Sequence, residues 1–98
     1  MTPLRFRADI IEWRGPAPFY FAAIPPDLTG EIREEARIAS YGWGVVPVDV
    51  EIAGVEFTTS LFPREGNYLL PLKDAVRRAL DITIGDIIEI ELSVRARK

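Results

Sequence analysis

Three cationic side chains could form an anion-binding group around a predicted helix start. Lys73 and Arg77 are four residues apart, a spacing that places both on one face of a helix, and Arg64 lies in the predicted loop before it. Cations beside a helix start can hold a phosphate or a carboxylate. Asp74 and Arg78 also have ion-pairing spacing, so we favour a solvated, self-neutralised face. This region remains the best place in the sequence for an anionic ligand.

An aromatic pair between glycines forms the most unusual string, Tyr41-Gly42-Trp43-Gly44. Tyr41 and Trp43 could stack on a sugar, a base or another planar ligand, because aromatic rings offer a large contact area at low entropic cost. The same rings could instead close one end of a small barrel, while the glycines allow the chain to turn. We favour this structural role and keep both rings as candidate ligand-binding residues.

Hydroxyl groups and carboxylates are weaker candidates. Thr58-Thr59-Ser60 could line a site, but threonines on a strand are usually ordinary strand formers, and no base is available to activate a hydroxyl nucleophile. Acidic side chains at the outward positions of two predicted strands most simply keep the surface soluble and block edge pairing. These carboxylates are Asp49, Glu51, Glu89 and Glu91. We therefore predict no catalytic residue and no metal site.

The composition narrows the chemistry further. The 98 residues include no histidine and no cysteine, so the commonest base at neutral pH, the commonest transition-metal ligand and a thiol nucleophile are all missing. We predict no cofactor. A formal net charge of −3 argues against nucleic acid as a partner, because nucleic-acid-binding domains normally carry a positive excess. No apolar stretch predicts a membrane span or a signal peptide, so we expect a cytoplasmic protein.

The second half of the chain predicts a strand, a helix and a strand. Tyr68–Leu70 is apolar, and Pro71 is expected to end that strand and to head a helix. Apolar residues within Leu72–Leu80 follow helical spacing, which leaves the cationic residues facing water. After Gly85-Asp86 the period falls to two, which predicts a half-buried strand over Ile87–Val94.

The earlier part of the chain repeats this order. Phe19–Ile24 predicts an apolar strand that ends at Pro25-Pro26, and Leu28–Ala39 predicts a helix. Val45–Ile52 alternates as a strand, but Pro47 cannot donate to a ladder, so we predict an edge strand or a bulge there.

The remaining segments complete the predicted fold. Leu4–Trp13 predicts the first strand, Ala53-Gly54 predicts a hairpin turn into Val55–Leu61, and Phe62–Asn67 predicts a loop. Together these elements predict a mainly β fold, a closed double-split β-barrel of about six or seven strands. Two short helices accompany the strands. The repeated order predicts internal duplication, which would allow one chain to close the barrel as a monomer.

A set of segments spread over nearly the whole chain carries a family resemblance. The segments are Trp13, Gly15, Phe19–Pro25, Tyr41–Gly44, Pro47-Val48, Phe57–Pro63, Tyr68–Lys73, Val76-Arg77 and Gly85-Asp86. In these segments the chain resembles the DUF1905 family, a small bacterial domain of unknown function found alone or fused to a bacteriocin-protection (YdeI/OmpD-associated) domain. The order of predicted elements in its second half resembles the swapped-hairpin half-barrel of AbrB/MazE-type proteins. Two copies of that half-barrel build a double-split barrel that binds DNA. The resemblance implies the fold but no activity, and so no catalytic residues.

Three functional hypotheses follow. The leading one is a non-catalytic binding domain that meets a small anionic or planar ligand, or a protein partner, near the Trp43 loop and the Lys73 helix. The alternative is a DNA-binding transcription regulator or antitoxin-like domain, by analogy with the swapped-hairpin barrels. An enzyme using carboxylate or lysine chemistry ranks lowest, because no base is evident. The candidate ligand-binding residues are Tyr41, Trp43, Arg64, Lys73 and Arg77.

Overall fold

The computed structural model describes residues 3–13, 19–39 and 45–95. In this part of the chain six strands and two α-helices follow one another, and a turn of 3-10 helix, Pro26–Leu28, precedes the first α-helix. The strands are β1 (Leu4–Trp13), β2 (Phe19–Ala23), β3 (Val46–Ile52), β4 (Val55–Arg64), β5 (Asn67–Leu72) and β6 (Ile87–Val94). The helices are α1 (Thr29–Ile38) and α2 (Asp74–Leu80).

The strands close into one antiparallel barrel in the order β1-β2-β5-β4-β3-β6. The two longest strands change neighbours part-way along. β1 pairs with β6 over Leu4–Asp9 and with β2 over Ile10–Trp13. β4 pairs with β3 over Val55–Leu61 and with β5 over Phe62–Arg64. The prediction of a mainly β, closed barrel with two helices is confirmed.

The core fills the inside of the barrel. Alternate residues of the pleated strands point inward, so β3 buries every second side chain from Val46 to Ile52. Helix α1 adds Ile32 to the same core, and Leu80 of α2 packs against it, while Val76 of α2 is buried outside this cluster. The largest fully buried side chains are Ile10, Ile24, Ile32, Leu61, Leu70, Ile90, Leu92, Val46 and Val48.

A small polar network fixes the start of α1 to the sheet. The buried hydroxyl of Thr29 donates to the Asn67 side-chain oxygen, and the Asn67 amide donates to the Ile24 carbonyl oxygen at 2.7 Å. Arg33 also donates to the Gly66 carbonyl oxygen at 3.2 Å. Because buried polar groups must be paired to avoid a desolvation cost, this network fixes where the chain leaves β2 and enters the helix.

Three prolines lie inside strands, which corrects three sequence predictions. Pro63 belongs to β4 rather than to a loop, and Pro71 belongs to β5 rather than to the head of a helix. Pro47 lies in β3, which has neighbours on both sides and is not an edge strand. Pro63 and Pro71 occupy positions where pairing with one neighbour has already ended, so their missing N–H groups remove no ladder bond on that side. Pro47 lies at the end of the pairing with β6, where its carbonyl oxygen accepts from the Arg95 N–H at 3.0 Å and its missing N–H leaves the return bond unmade.

Helix α2 consequently begins later than predicted. Lys73 keeps an extended backbone, with φ −69° and ψ 153°, and the helix starts at Asp74. Arg77 is half-buried and does not face water as predicted.

Two tight hairpins complete the barrel. Ala53 and Gly54 both have positive φ, at 49° and 84°, as the predicted two-residue turn requires. Glu65 and Gly66, at 51° and 81°, form a matching turn between β4 and β5 where a longer loop was expected. These turns fix the register of β3 with β4 and of β4 with β5.

Candidate binding cleft

An open cleft lies where β4 and β5 separate. The two strands are paired only from Phe62 opposite Leu69 to Arg64 opposite Asn67. Before Phe62, β4 runs beside β3, and after Leu69, β5 runs beside β2. The strands therefore diverge, and we call the space between them the β4–β5 cleft.

The cleft combines cations, hydroxyls and apolar surface in a volume of about 410 Å³. This volume is within the range of roughly 300–1,000 Å³ that small-ligand sites occupy. Its lining residues are Pro47, Thr58, Thr59, Ser60, Phe62, Pro71, Lys73 and Arg95. Two of the eight are cationic, three carry hydroxyls, and no carboxylate is among them, so the lining as described favours an anionic ligand.

Lys73 is the cation in the cleft that is available to pair with a ligand. Its exposed ammonium group makes no ion pair or hydrogen bond with any residue that the structure describes. Arg95, at the other side of the cleft, forms an ion pair with Asp49 at 3.4 Å and has a further interaction. A carboxylate or phosphate in the cleft could therefore pair with Lys73 without displacing an acidic neighbour.

The hydroxyl groups come from one edge of β4. Thr58 and Ser60 lie on the outer side of the barrel, opposite Asp49 and Pro47 of β3, while Thr59 points inward. Within the described chain, the other side of this segment has no strand paired to it. Thr58–Ser60 therefore offers both hydroxyls and a strand edge to the cleft.

An aromatic face adjoins the cleft on the outside of the barrel. The Phe62 ring meets the Phe21 ring edge-on at 6.3 Å between centroids, and Phe19 lies against Phe21 at 6.4 Å. Phe21 is buried, whereas Phe19 is 60% and Phe62 48% exposed. Since Phe62 also lines the cleft, these three residues, the aromatic face, extend the cleft as apolar surface.

The register places the free cation beside this face. Tyr20 of β2 is paired with Leu72 of β5, and both point toward the inside. Because the strands are antiparallel, Phe19, which precedes Tyr20, lies beside Lys73, which follows Leu72. Side chains alternate along extended chain, so both of these point to the outer side. An anionic group bound to Lys73 would have aromatic surface within reach.

Arg77 is directed away from this group. Its guanidinium lies 3.8 Å from the centroid of the Tyr20 ring and donates to the Asp74 carboxylate at 2.6 Å. Asp74 also lies 3.8 Å from Arg78, which confirms the ion-pairing spacing noted in the sequence. Arg77 is thus part of the packing of α2 on the barrel and is not among the residues that line the cleft.

The other predicted site residues are placed as follows. Arg64 lies opposite Asn67, and Lys73 is six residues further along, so at ~3.3 Å per strand residue the two cations are about 20 Å apart. The three cations of the sequence prediction therefore do not form one cluster. Tyr41 and Trp43 lie outside the described residues.

Sequence reasoning missed the aromatic face and the contribution of Arg95. The run Phe19–Ile24 was apolar on both faces, which signalled that the outer face of β2 would also be apolar. Phe62 was assigned to a loop, and Arg95 was not among the candidate ligand-binding residues. Only the pairing of β3 with both β4 and β6 brings Phe62 and Arg95 to one surface.

A second outer surface is acidic. Glu51 of β3 lies between Glu91 of β6 and Glu56 of β4, and these residues line a hollow of about 420 Å³. Arg5 pairs with Glu91 at 3.0 Å. No group of acidic side chains in the described ranges is arranged to hold a metal ion. Carboxylates side by side on neighbouring strands repel, and we do not treat this surface as the site.

One ion pair on α1 shifts two pKa values. The hydrogen bond and positive charge of Arg37 lower the pKa of Glu34, and the same contact raises the pKa of Arg37. Neither residue lines the cleft, so the pair has no part in its chemistry.

A family model described as a domain of unknown function, DUF1905, matches residues 6–92. The chain belongs to the DUF1905 family. The match covers all six strands of the barrel in whole or in large part, including both walls of the cleft. No curated protein matches this DUF1905 domain.

In the described part of the chain, no helix is long and apolar enough to cross a membrane.

Proposed function

We propose that this DUF1905 domain is a non-catalytic binding module whose contact surface is the β4–β5 cleft with the adjoining aromatic face. The observation that carries the proposal is the position of Lys73. It is a cation without a partner among the described residues, between hydroxyl groups on one side and exposed rings on the other. Such a surface complements a group that is anionic at one end and apolar at the other.

The chemistry of the lining supports binding rather than catalysis. General acid–base catalysis needs a positioned group that accepts a proton, and the described lining offers hydroxyls and cations. Hydroxyl nucleophiles likewise need an adjacent base. Recognition of an anion requires only fixed donors, which Lys73 and the hydroxyls of Thr58 and Ser60 supply.

A titration with benzoate tests this proposal, because benzoate joins one carboxylate to one ring. We expect benzoate to shift the amide NMR signals of Thr58–Ser60 and Lys73, and benzamide, its neutral analogue, to shift them much less. Lys73→Gln should weaken benzoate binding, while Arg78→Gln, in the following helix α2 and already paired with Asp74, should not. Equal shifts from benzoate and benzamide, or shifts unaffected by Lys73→Gln, would contradict the proposal.

We further infer that the barrel is an internally duplicated double-split barrel that closes as a monomer. The element order strand, strand, helix, strand occurs twice, as β1-β2-α1-β3 and β4-β5-α2-β6. Exchanging the two sets leaves the cyclic strand order unchanged, which supports a pseudo-two-fold relation between the halves. Light scattering that gives the mass of a dimer at micromolar concentration would contradict the monomer.

DNA binding, the alternative hypothesis, receives less support. Arg5, Arg77, Arg78 and Arg95 each lie within ion-pairing distance of a carboxylate, which leaves less positive charge for phosphates. We expect random-sequence duplex DNA at low salt to give no binding that weakens steeply as salt rises, because that behaviour requires several phosphate contacts. A steep salt dependence would favour the alternative.

A further inference from the structure

Among the strand edges that lack a strand neighbour within the described chain, two differ in character. The first is the side of β1 away from β6 over Leu4–Asp9, which carries Arg5, Arg7 and Asp9. Charged residues along an edge discourage another chain from pairing with it. The β1 edge is therefore protected against strand addition.

The second edge, at the β4–β5 cleft, has no such protection. From Phe57 to Pro63 the chain of β4 carries no charged residue, and Thr58–Ser60 is made of residues that suit a strand. This segment lines an open volume of about 410 Å³, so space is available beside it. An uncharged strand edge beside an open cleft is the arrangement on which extended peptides add a strand.

The charges around this edge select the peptide. Lys73 faces the cleft from the opposite wall, and Arg95 lies at its border. The lining as described contains no carboxylate, so an acidic peptide meets attraction from the far wall and a basic peptide meets repulsion. The lining also includes Phe62 and Pro71, whose apolar surface can contact the methylene groups of an acidic side chain that points to the outer side.

We propose that the β4–β5 cleft binds an extended acidic segment of a partner protein, which pairs along Thr58–Ser60 as an added strand and directs a carboxylate to Lys73. This inference rests on the proposed function and names the class of ligand. At ~3.3 Å per residue, an edge of three residues accommodates a segment of about three to five residues. Carboxylates at alternate positions then point to the outer side, where Lys73 lies, and the intervening apolar residues point toward Thr59.

The experiment titrates the isotope-labelled domain with a peptide of alternating sequence, acetyl-Val-Glu-Val-Glu-Val-amide. Two matched peptides accompany it: one with Lys in place of Glu, and one with the same side chains but N-methyl groups on the amides that would pair with β4. N-acetylglutamate amide, a single capped residue, is the control that supplies a carboxylate but is too short to pair as a strand. Amide signals of Thr58–Ser60 and Lys73 report binding at the cleft.

We expect the acidic peptide to bind at the cleft, and the Lys peptide and the N-methylated peptide to bind roughly tenfold or more weakly, because they lose charge attraction and strand pairing respectively. On the protein side, Thr58→Glu should weaken binding of the acidic peptide more than Thr58→Gln, because both variants remove the hydroxyl and only the first adds a negative charge beside the bound carboxylates. Thr58 is exposed, so neither variant disturbs the core.

The outcomes separate the two proposals. Equal binding of the N-methylated peptide, or binding of N-acetylglutamate amide as tight as that of the peptide, overturns strand addition and leaves the cleft as an anion site. A failure of both benzoate and the acidic peptide to shift Lys73 overturns the proposed function as well. Shifts at the cleft from single-stranded oligonucleotides but not from the acidic peptide would assign the cleft to nucleic acid and overturn the peptide proposal.

Discussion

The guanidinium of Arg77 lies 3.8 Å from the centroid of the Tyr20 ring, so a cation on α2 stacks on an aromatic residue of β2. The Arg77 side chain is 24% exposed and also pairs with Asp74 at 2.6 Å. Its Nε atom is buried and has no hydrogen-bond partner among the described atoms. The stacking contact links α2, whose buried residue is Val76, to the wall of the barrel.

A double-mutant cycle with Arg77→Met and Tyr20→Leu should reveal this contact. We expect a coupling free energy of about 1 kcal/mol, because cation–π contacts contribute roughly 0.5–2 kcal/mol as they become desolvated. Arg77→Met also removes the unpaired Nε donor, so its own cost should be modest. Urea unfolding of the four proteins gives the coupling, and additive changes within error would show that the stacking adds no stability.

The exposed ring of Phe19 should contribute to binding but little to stability. Phe19→Ser removes a side chain that is 60% exposed beside Lys73, and we expect benzoate to bind it more weakly. Ile87→Ser is the control, because Ile87 is 66% exposed on β6, away from the cleft. Both variants should unfold within about 1 kcal/mol of the original domain. Equal effects of the two substitutions on benzoate binding would remove Phe19 from the site.

The Asn67 side chain should be a strong determinant of stability. Asn67→Ala deletes the acceptor of the buried Thr29 hydroxyl and the donor to the Ile24 carbonyl, so we expect a loss of about 1–3 kcal/mol. Thr29→Val, which replaces the hydroxyl with a methyl group, should cost less because Asn67 keeps its bond to Ile24. Urea unfolding measures both, and a larger loss for Thr29→Val would contradict this order.

The pair of Glu34 and Arg37 gives a pH prediction of defined sign. The folded-state pKa of Glu34 lies below its ordinary value of 4.5, so the pair stabilises the fold above that pH, and the effect is lost as pH falls through the lowered pKa. NMR titration of the Glu34 carboxylate should show this low pKa and its return toward 4.5 in Arg37→Gln. An unchanged pKa in that variant would show that Arg37 is not its cause. Since both groups are exposed, the effect on global stability should be small.

Local patterns predicted most of the elements, because each pattern depends on neighbours in the sequence. The alternation of β1 and β6, the helical spacing of α1 and the Ala53-Gly54 hairpin are such patterns, and all four are confirmed. Pro71 misled the prediction, since a proline ends a ladder only where a neighbouring strand requires its N–H. Whether that neighbour exists depends on pairing between distant segments.

The site was only partly predictable for the same reason. Lys73 stood out as a cation near a helix, and it lines the cleft. Its neighbours there come from β3, β4 and the end of β6, and only the closure of the barrel brings them together. Arg77 has the spacing of a surface cation but stacks on Tyr20, which is 57 residues earlier in the sequence and cannot be identified as a partner from spacing alone.

Pro71 also determines how the cleft can change shape. A proline fits in β5 where its nitrogen points away from β2, which is the side of the cleft. Extending the β4–β5 ladder across the cleft would give a next link with one hydrogen bond instead of two. Closure of the opening by the domain's own strands is therefore disfavoured, and a segment entering it competes with no paired internal strand for the hydrogen bonds of β4.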